Sequence, residues 1–224
     1  MSGDSGKTVV IAVDGPAAAG KTTTCLALAD TFDLRYLESG RTYRIVAYEA
    51  IRRGVPVDDR SAVVGLCDRL IDESRTGNLF TSSRYRPQEL RSNPVDLAVS
   101  AVARIGELRG RVTELIHQWA RVQARCVVEG RDIGTVVFPT APAKFYLTAK
   151  PEIRAERRVR QEGHGSYEEV LKDVIRRDQA DMSRPVAPLV PAEDAVEIDT
   201  TELSVAQVVG RMVSVCRDRG VANP

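Results

Sequence analysis

Val9-Val-Ile-Ala-Val-Asp-Gly15-Pro16-Ala17-Ala18-Ala19-Gly20-Lys21-Thr22 joins an apolar, β-branched run of strand length to the spacing G-x-x-x-x-G-K-[ST]. The stretch after it, Thr22-Thr23-Thr24-Cys25-Leu26-Ala27-Leu28-Ala29-Asp30, has a helical pattern, so the segment reads as strand, tight loop and helix. Glycines at the two ends let the backbone wrap around a phosphate, and the N–H groups of the loop and of the helix start then point at the anion. Such a phosphate-binding loop, or P-loop, places Gly15, Pro16, Ala17, Ala18, Ala19, Gly20, Lys21, Thr22 and Thr23 around a nucleoside triphosphate. Lys21 is expected to reach the β- and γ-phosphates, and Thr22 to ligate Mg2+.

The rest of the composition bounds the answer. A chain of 224 residues buries a full core as one domain with room for small inserted lobes. Lys and Arg total 32 against 31 Asp and Glu, a formal charge of +1, so no global field marks a nucleic-acid or membrane-surface binder. Cys25, Cys67, Cys126 and Cys216 are scattered without a C-x-x-C pair, which reads as small buried residues in a reducing compartment rather than zinc ligands or disulfides. The polar start and the absence of a long apolar run predict neither a signal peptide nor a membrane span, hence a cytoplasmic protein.

Short β-branched runs alternate with longer helical patterns at Thr8–Asp14, Leu34–Leu37, Cys126–Glu129, Lys144–Thr148 and Ala195–Asp199. The expected fold class is α/β, a P-loop doubly wound parallel five-stranded sheet. Two stretches interrupt the alternation. Residues 62–91 contain a helical piece, Val63–Ile71, and then a polar, Arg-rich run, and they read as an inserted lobe. Residues 151–184 are densely charged and helical around Gly163-His164-Gly165, and they read as a lid able to close on bound phosphate.

Arginines gather in the second half: Arg131, Arg154, Arg157, Arg158, Arg160, Arg176, Arg177 and Arg184. A guanidinium fork matches phosphate oxygens and stays charged, so a phosphoryl-transfer site uses several. Arg160 and Arg176 read as solvated helix-face charges, whereas Arg177, Asp181 and Arg184 follow one helix face and suggest a ligand. Neither His117 nor His164 is placed as a base beside a nucleophile. An acceptor that is itself a phosphate needs no base, because catalysis then reduces to positioning and charge neutralisation.

Asp14-Gly-Pro-Ala-Ala-Ala-Gly-Lys21, Leu37-Glu-Ser-Gly-Arg-Thr-Tyr-Arg44, Val128-Glu-Gly-Arg-Asp-Ile-Gly-Thr-Val-Val-Phe-Pro139 and Arg177-Asp-Gln-Ala-Asp-Met-Ser-Arg-Pro-Val-Ala-Pro-Leu189 together resemble the bacterial cytidylate kinase family, in order and spacing, from about residue 8 to residue 212. The resemblance implies a monomeric nucleoside-monophosphate kinase that moves the γ-phosphate of ATP to CMP or dCMP, with a nucleotide-binding insert at 62–104 and a lid at 151–184 within one core. It implies small-molecule nucleotides as partners and ATP and Mg2+ as donor and cofactor. By position it assigns Lys21, Arg131, Arg184, Arg157 and Arg158 to catalysis, the last two on the ATP. It places Arg44, Arg131 and Arg184 on the acceptor phosphate and Ser100, Arg109 and Asp132 on cytosine, with Ser39 and Tyr43 in the same acceptor-binding group. Arg177 and Asp181 fall on the ribose positions, and Glu129 on a water of the Mg2+ shell beside Thr22.

The family usually reads L-D-[ST]-G-A-[ML]-Y-R where this chain has Leu37-Glu-Ser-Gly-Arg41-Thr42-Tyr-Arg, and its G-x-D-V-[ST] stretch is replaced by Ser82-Ser-Arg-Tyr-Arg-Pro-Gln. These departures bear on which monophosphate is accepted. A paralogue acting on a modified pyrimidine monophosphate or another phosphorylated metabolite, and a nucleotide-binding regulatory module, are the competing readings. Arg41 is expected on the solvent side of the helix that follows.

Overall fold

The computed structural model describes residues 8–74, 79, 82–162 and 166–221. The Gly163–Gly165 hinge expected from sequence lies outside them, as does part of the polar run after residue 74. The chain divides into two compact units, one made of Met1–Leu37 with Ala120–Pro224, the other of Glu38–Trp119.

The first unit is built on five strands: β1 (Val9–Asp14), β2 (Arg35–Glu38), β3 (Arg125–Gly130), β4 (Ala143–Thr148) and β5 (Val196–Asp199), in the order β2-β3-β1-β4-β5. All five expected strands are present within a residue of their anticipated ends, and β1 pairs in parallel with both β3 and β4. A strand flanked on both sides and covered on both faces must be apolar throughout, and in β1 all but Val9 are buried. Ile11, Val13, Val127, Phe145 and Leu147 from the sheet pack with Leu28 and Phe32 of α1 (Lys21–Phe32) and with Val208 and Met212 of α9 (Val205–Asp218). The four cysteines are free and buried, as their scatter suggested, and burial raises each thiol above its ordinary range.

Parallel strands direct their following loops to one edge of the sheet, where open α/β folds bind ligands. Asp14, ending β1, is the register partner of Gly130, ending β3, so the P-loop and the Gly130–Asp132 turn leave from neighbouring strand ends. The second half of this unit carries α7 (Pro151–Glu162) and α8 (Tyr167–Met182), packed together through Ala155, Val170 and Val174.

The second unit is helical: α2 (Gly40–Arg52), α3 (Arg60–Glu73), α4 (Pro87–Leu90), α5 (Asn93–Val102) and most of α6 (Gly106–Gln123). Asp59 starts α3 by accepting the Ala62 N–H, at 3.0 Å, and the expected helical piece 63–71 lies inside it. Among the described residues, no helix is long and apolar enough to cross a membrane.

Candidate active site

In the P-loop, Gly15 has a φ of +144°, and a Cβ there would stand 2.0 Å from the Leu147 carbonyl oxygen, so β4 passes too close for any side chain. Ala18 also holds a left-handed φ, +58°. For the loop's N–H groups to face an anion, its carbonyls must turn outward and find donors of their own. Lys21 Nζ donates to the carbonyls of Gly15, at 2.9 Å, and Pro16, at 2.7 Å. The Ala17 carbonyl accepts from Arg154 at 3.2 Å, the Ala19 carbonyl from the Thr200 hydroxyl at 3.2 Å, and the Gly20 carbonyl from the Thr24 hydroxyl at 3.0 Å. Burial lowers the Lys21 ammonium to about 7, with the nearby Arg131 charge pushing the same way.

Below the loop, the hydroxyl of Thr22 donates to Glu129 Oε1 at 2.8 Å, and the Tyr36 hydroxyl donates to the same oxygen at 2.9 Å. An exposed hydroxyl at a helix N-terminus beside a buried carboxylate is an all-oxygen donor set, the kind a hard divalent cation takes. Thr22 and Glu129, the two residues expected at Mg2+, are thus hydrogen-bonded to each other.

The Asp14 carboxylate, buried at the end of β1, accepts the Ile133 N–H at 2.8 Å and the Gly134 N–H at 2.7 Å. Those amides open a single π-helical turn, Ile133–Val137, that follows Arg131 and Asp132 directly. Gly134 brings its backbone so close that a Cβ would lie 3.4 Å from Asp14 Oδ2 and 3.2 Å from Lys144 Cδ. Burial pushes the Asp14 carboxyl up to about 6, although the two amides pull it down. The sequence motif that contains Asp14 assigns it no role. Its signal was an acid placed at the end of an otherwise apolar strand, directly before the P-loop.

Arg131 Nε donates to Asp181 Oδ2 at 2.8 Å, and Arg184 reaches the other oxygen of that carboxylate at 3.6 Å. Burial works to raise Asp181, yet the two guanidiniums hold it below the usual carboxylate range. Arg177 is buried on the same helix, and its charge also acts on Asp181. Asp132 is buried beside the turn. Of the two arginines expected on a lid, Arg157 donates to the Thr200 hydroxyl at 2.9 Å and the Thr200 carbonyl at 2.7 Å, and Arg158 donates to Asp173 at 2.7 Å. Arg176 also pairs with Asp173 in an exposed contact, the solvated role expected of it.

In the Glu38–Trp119 unit, Arg44 donates to Asp96 at 2.7 Å and to the Leu90 carbonyl at 2.8 Å. The buried Arg109 guanidinium stands 5.4 Å from the centroid of the Tyr43 ring and donates to the Ala103 carbonyl at 3.1 Å, which brings two of the expected acceptor residues together. Ser39 is buried at the start of α2, and Ser100 lies partly buried on α5. The expectation for Arg41 is corrected: it is half-buried and donates to the carbonyls of Ser82, at 3.1 Å, and Tyr85, at 2.9 Å. A five-donor fork is held wherever carbonyls are left over, and a helical-wheel reading does not see the loop that supplies them.

A P-loop on a parallel sheet of this order, backed by a hydroxyl–carboxylate pair and by arginines converging on one oxyanion, defines a P-loop phosphotransferase. The cytidylate kinase family model matches residues 11–218, and the chain belongs to that family of nucleoside-monophosphate kinases. It is 41% identical to a cytidylate kinase of Rhodococcus jostii over 94% of this chain and 96% of that one. It is 38% identical to a cytidylate kinase of Clostridioides difficile over 92% and 97% respectively. Among solved structures, a Thermus thermophilus protein shares the fold with a TM-score of 0.51 at 17% identity, covering 96% of this chain and 98% of that one.

Proposed function

We propose that this chain transfers the γ-phosphoryl group of ATP to CMP and dCMP, acting as a cytoplasmic monomer with Mg2+. The observation that carries the reading is the convergence of Arg131 and Arg184 on the two oxygens of Asp181. Two guanidiniums aimed at one oxyanion suit a phosphate clamp, and an acceptor phosphate would take them over in exchange for the carboxylate. Asp181, released, is then available with Arg177 to the ribose hydroxyls.

On the donor side, Lys21 leaves the Gly15 and Pro16 carbonyls for the β- and γ-phosphates, a short movement of a flexible side chain. The inward loop amides and the α1 N-terminus hold the same phosphates. Thr22 and, through water, Glu129 would hold Mg2+, which when bound neutralises charge across the phosphates. Arg157 and Arg158 approach the ATP from α7. With both phosphates fixed in line, the work left to the protein is to offset the charge that spreads over the transferred group, and no base is required.

Asp132 supports the choice of cytosine. Its buried carboxylate accepts from an exocyclic amine, whereas uracil presents a carbonyl oxygen there and leaves two acceptors facing each other. A coupled ADP-release assay over a panel of nucleoside monophosphates tests the reading. CMP and dCMP are expected to be used, with kcat/KM for CMP above that for UMP by roughly tenfold or more, as one unpaired buried polar group dictates. A panel in which another phosphorylated compound is turned over and CMP is not overturns it.

A further inference from the structure

Arg154 and Thr200 stand outside every role assigned above, yet they touch the P-loop more closely than the lid arginines do. Arg154, in the first turn of α7, is buried. Its Nε donates to the Ala149 carbonyl at 2.9 Å, its Nη1 to the Ala17 carbonyl at 3.2 Å, and its fork closes on both oxygens of Asp178 in α8. Thr200, directly after β5, is also buried and is fixed by its own N–H, which donates to the Thr148 carbonyl at 2.8 Å. Its hydroxyl donates to the Ala19 carbonyl and accepts from Arg157. The hydroxyl proton is thereby committed to the loop, and its lone pair to α7.

These contacts bracket Ala18, the one P-loop residue other than glycine with a left-handed φ. Such a conformation costs an alanine about 1 kcal/mol or more and persists only where its surroundings over-determine it. The carbonyls on either side of Ala18 are the ones that Arg154 and Thr200 hold. Lys21, by contrast, gives up its two carbonyls when it moves to phosphate, so the shape of the occupied loop depends on donors that stay in place.

We infer that Arg154 and Thr200 are positioning residues that hold the carbonyls of Ala17 and Ala19 outward, keep the loop's amides aimed at the triphosphate, and link the loop's shape to helices α7 and α8 through Asp178 and Arg157. The role deepens the ATP-binding reading above and rests on it. Neither residue needs to touch the nucleotide.

The test uses Thr200→Val, which keeps the shape and removes the hydroxyl, Thr200→Ser, which restores the hydroxyl, and Arg154→Lys, which keeps a cation for Asp178 and loses the fork. In nucleotide-free protein, amide exchange at residues 17–20 should quicken about tenfold in Thr200→Val and return toward the unsubstituted rate in Thr200→Ser, the size expected of one lost hydrogen bond. ATP affinity, measured by direct titration, should weaken about tenfold in Thr200→Val and Arg154→Lys, with KM for the acceptor within twofold. Arg158→Met, whose described partner is Asp173, separates loop shape from loss of a phosphate contact: it should weaken ATP without altering exchange at 17–20. Unchanged exchange in a folded Thr200→Val protein, or equal shifts in both KM values, overturns the inference. Should Arg154→Lys fail to fold, the Val and Ser pair decides alone. If the unsubstituted chain does not phosphorylate CMP, the acceptor reading fails, while exchange and ATP titration still decide this one.

Discussion

The P-loop unit and the Glu38–Trp119 unit use the same residue types to opposite ends. In the P-loop unit, cations meet carbonyls and carboxylates that, on the proposed reading, a phosphate would replace: Lys21 on the loop's own carbonyls, Arg131 and Arg184 on Asp181, Arg158 on Asp173. In the helical unit most arginines have found permanent work. Arg53 bridges Glu49 and Glu73, Arg41 ties down the carbonyls of Ser82 and Tyr85, and Arg84 pairs with Glu73 and stacks on Tyr85. One unit holds its charges in exchangeable pairs, and the other uses them as cement. Residue type therefore says little about role until the partner is known.

The sharpest way to break that comparison is to remove an exchangeable cation. Lys21→Met and Arg131→Met should each lower kcat by about 10^3, in the range found for charge stabilisers of phosphoryl transfer, while the folded state survives. For Arg131 this follows because Arg184 remains on Asp181 after the change. Steady-state kinetics with a thermal melt checks both. A kcat within threefold of the parent in either variant would place that cation with the cement.

Next comes Asp14, a buried acid that serves the site through backbone alone. Asp14→Ala leaves the amides of Ile133 and Gly134 without their acceptor and frees the turn that carries Arg131 and Asp132. We expect kcat to fall about tenfold to a hundredfold with a smaller change in either KM. The group also predicts a pH limb. Its folded carboxyl takes up a proton near pH 6, where an unfolded one does so near 3.8. Between those values the folded chain binds the extra proton, so this group's contribution to stability fades as pH rises through the window and grows as pH falls. Turnover should move the other way, falling below about pH 6 because a protonated carboxyl serves two N–H donors poorly. Asp14→Asn should lower the plateau and flatten that limb, whereas an unaltered limb would assign it to the substrate phosphates.

How far these roles were legible differs along the same line. The P-loop was readable because its chemistry is backbone, and backbone geometry leaves its mark as glycine spacing. The strands were readable because burial on both faces demands unbroken apolar runs. Arg154, Thr200 and Asp14 were not, since each acts on a main-chain group far away in sequence, and no spacing encodes which carbonyl a fork will meet. Arg41 failed for the same reason.

The helical unit offers a milder test at Arg44, the arginine there that the resemblance assigns to the acceptor phosphate. Asp96→Ala leaves it with only the Leu90 carbonyl of the two partners described above. KM for CMP should rise about fivefold to tenfold with kcat nearly unchanged, and stability should drop by about 1.5–3 kcal/mol, the worth of a hydrogen bond to a charged group. Lost stability with an unmoved KM would make Arg44 cement as well.

The smallest effect is expected at Thr42, where this chain carries a hydroxyl and the family's pattern an apolar residue. Thr42 is fully buried in α2, and its Oγ1 has no hydrogen-bond partner among the described residues. A buried hydroxyl in that state loses its hydration and regains nothing, whereas valine has nearly the same shape and no polar atom to desolvate. Thr42→Val should therefore stabilise the protein by about 1 kcal/mol, a rise in Tm of roughly 2–4 °C for a chain of this size, with kcat and both KM values unchanged. The sign is what matters. If Thr42→Val destabilises the protein or raises KM for the acceptor, the hydroxyl meets a water or the acceptor nucleotide, and this unit keeps an exchangeable polar contact of the kind so far seen around the P-loop.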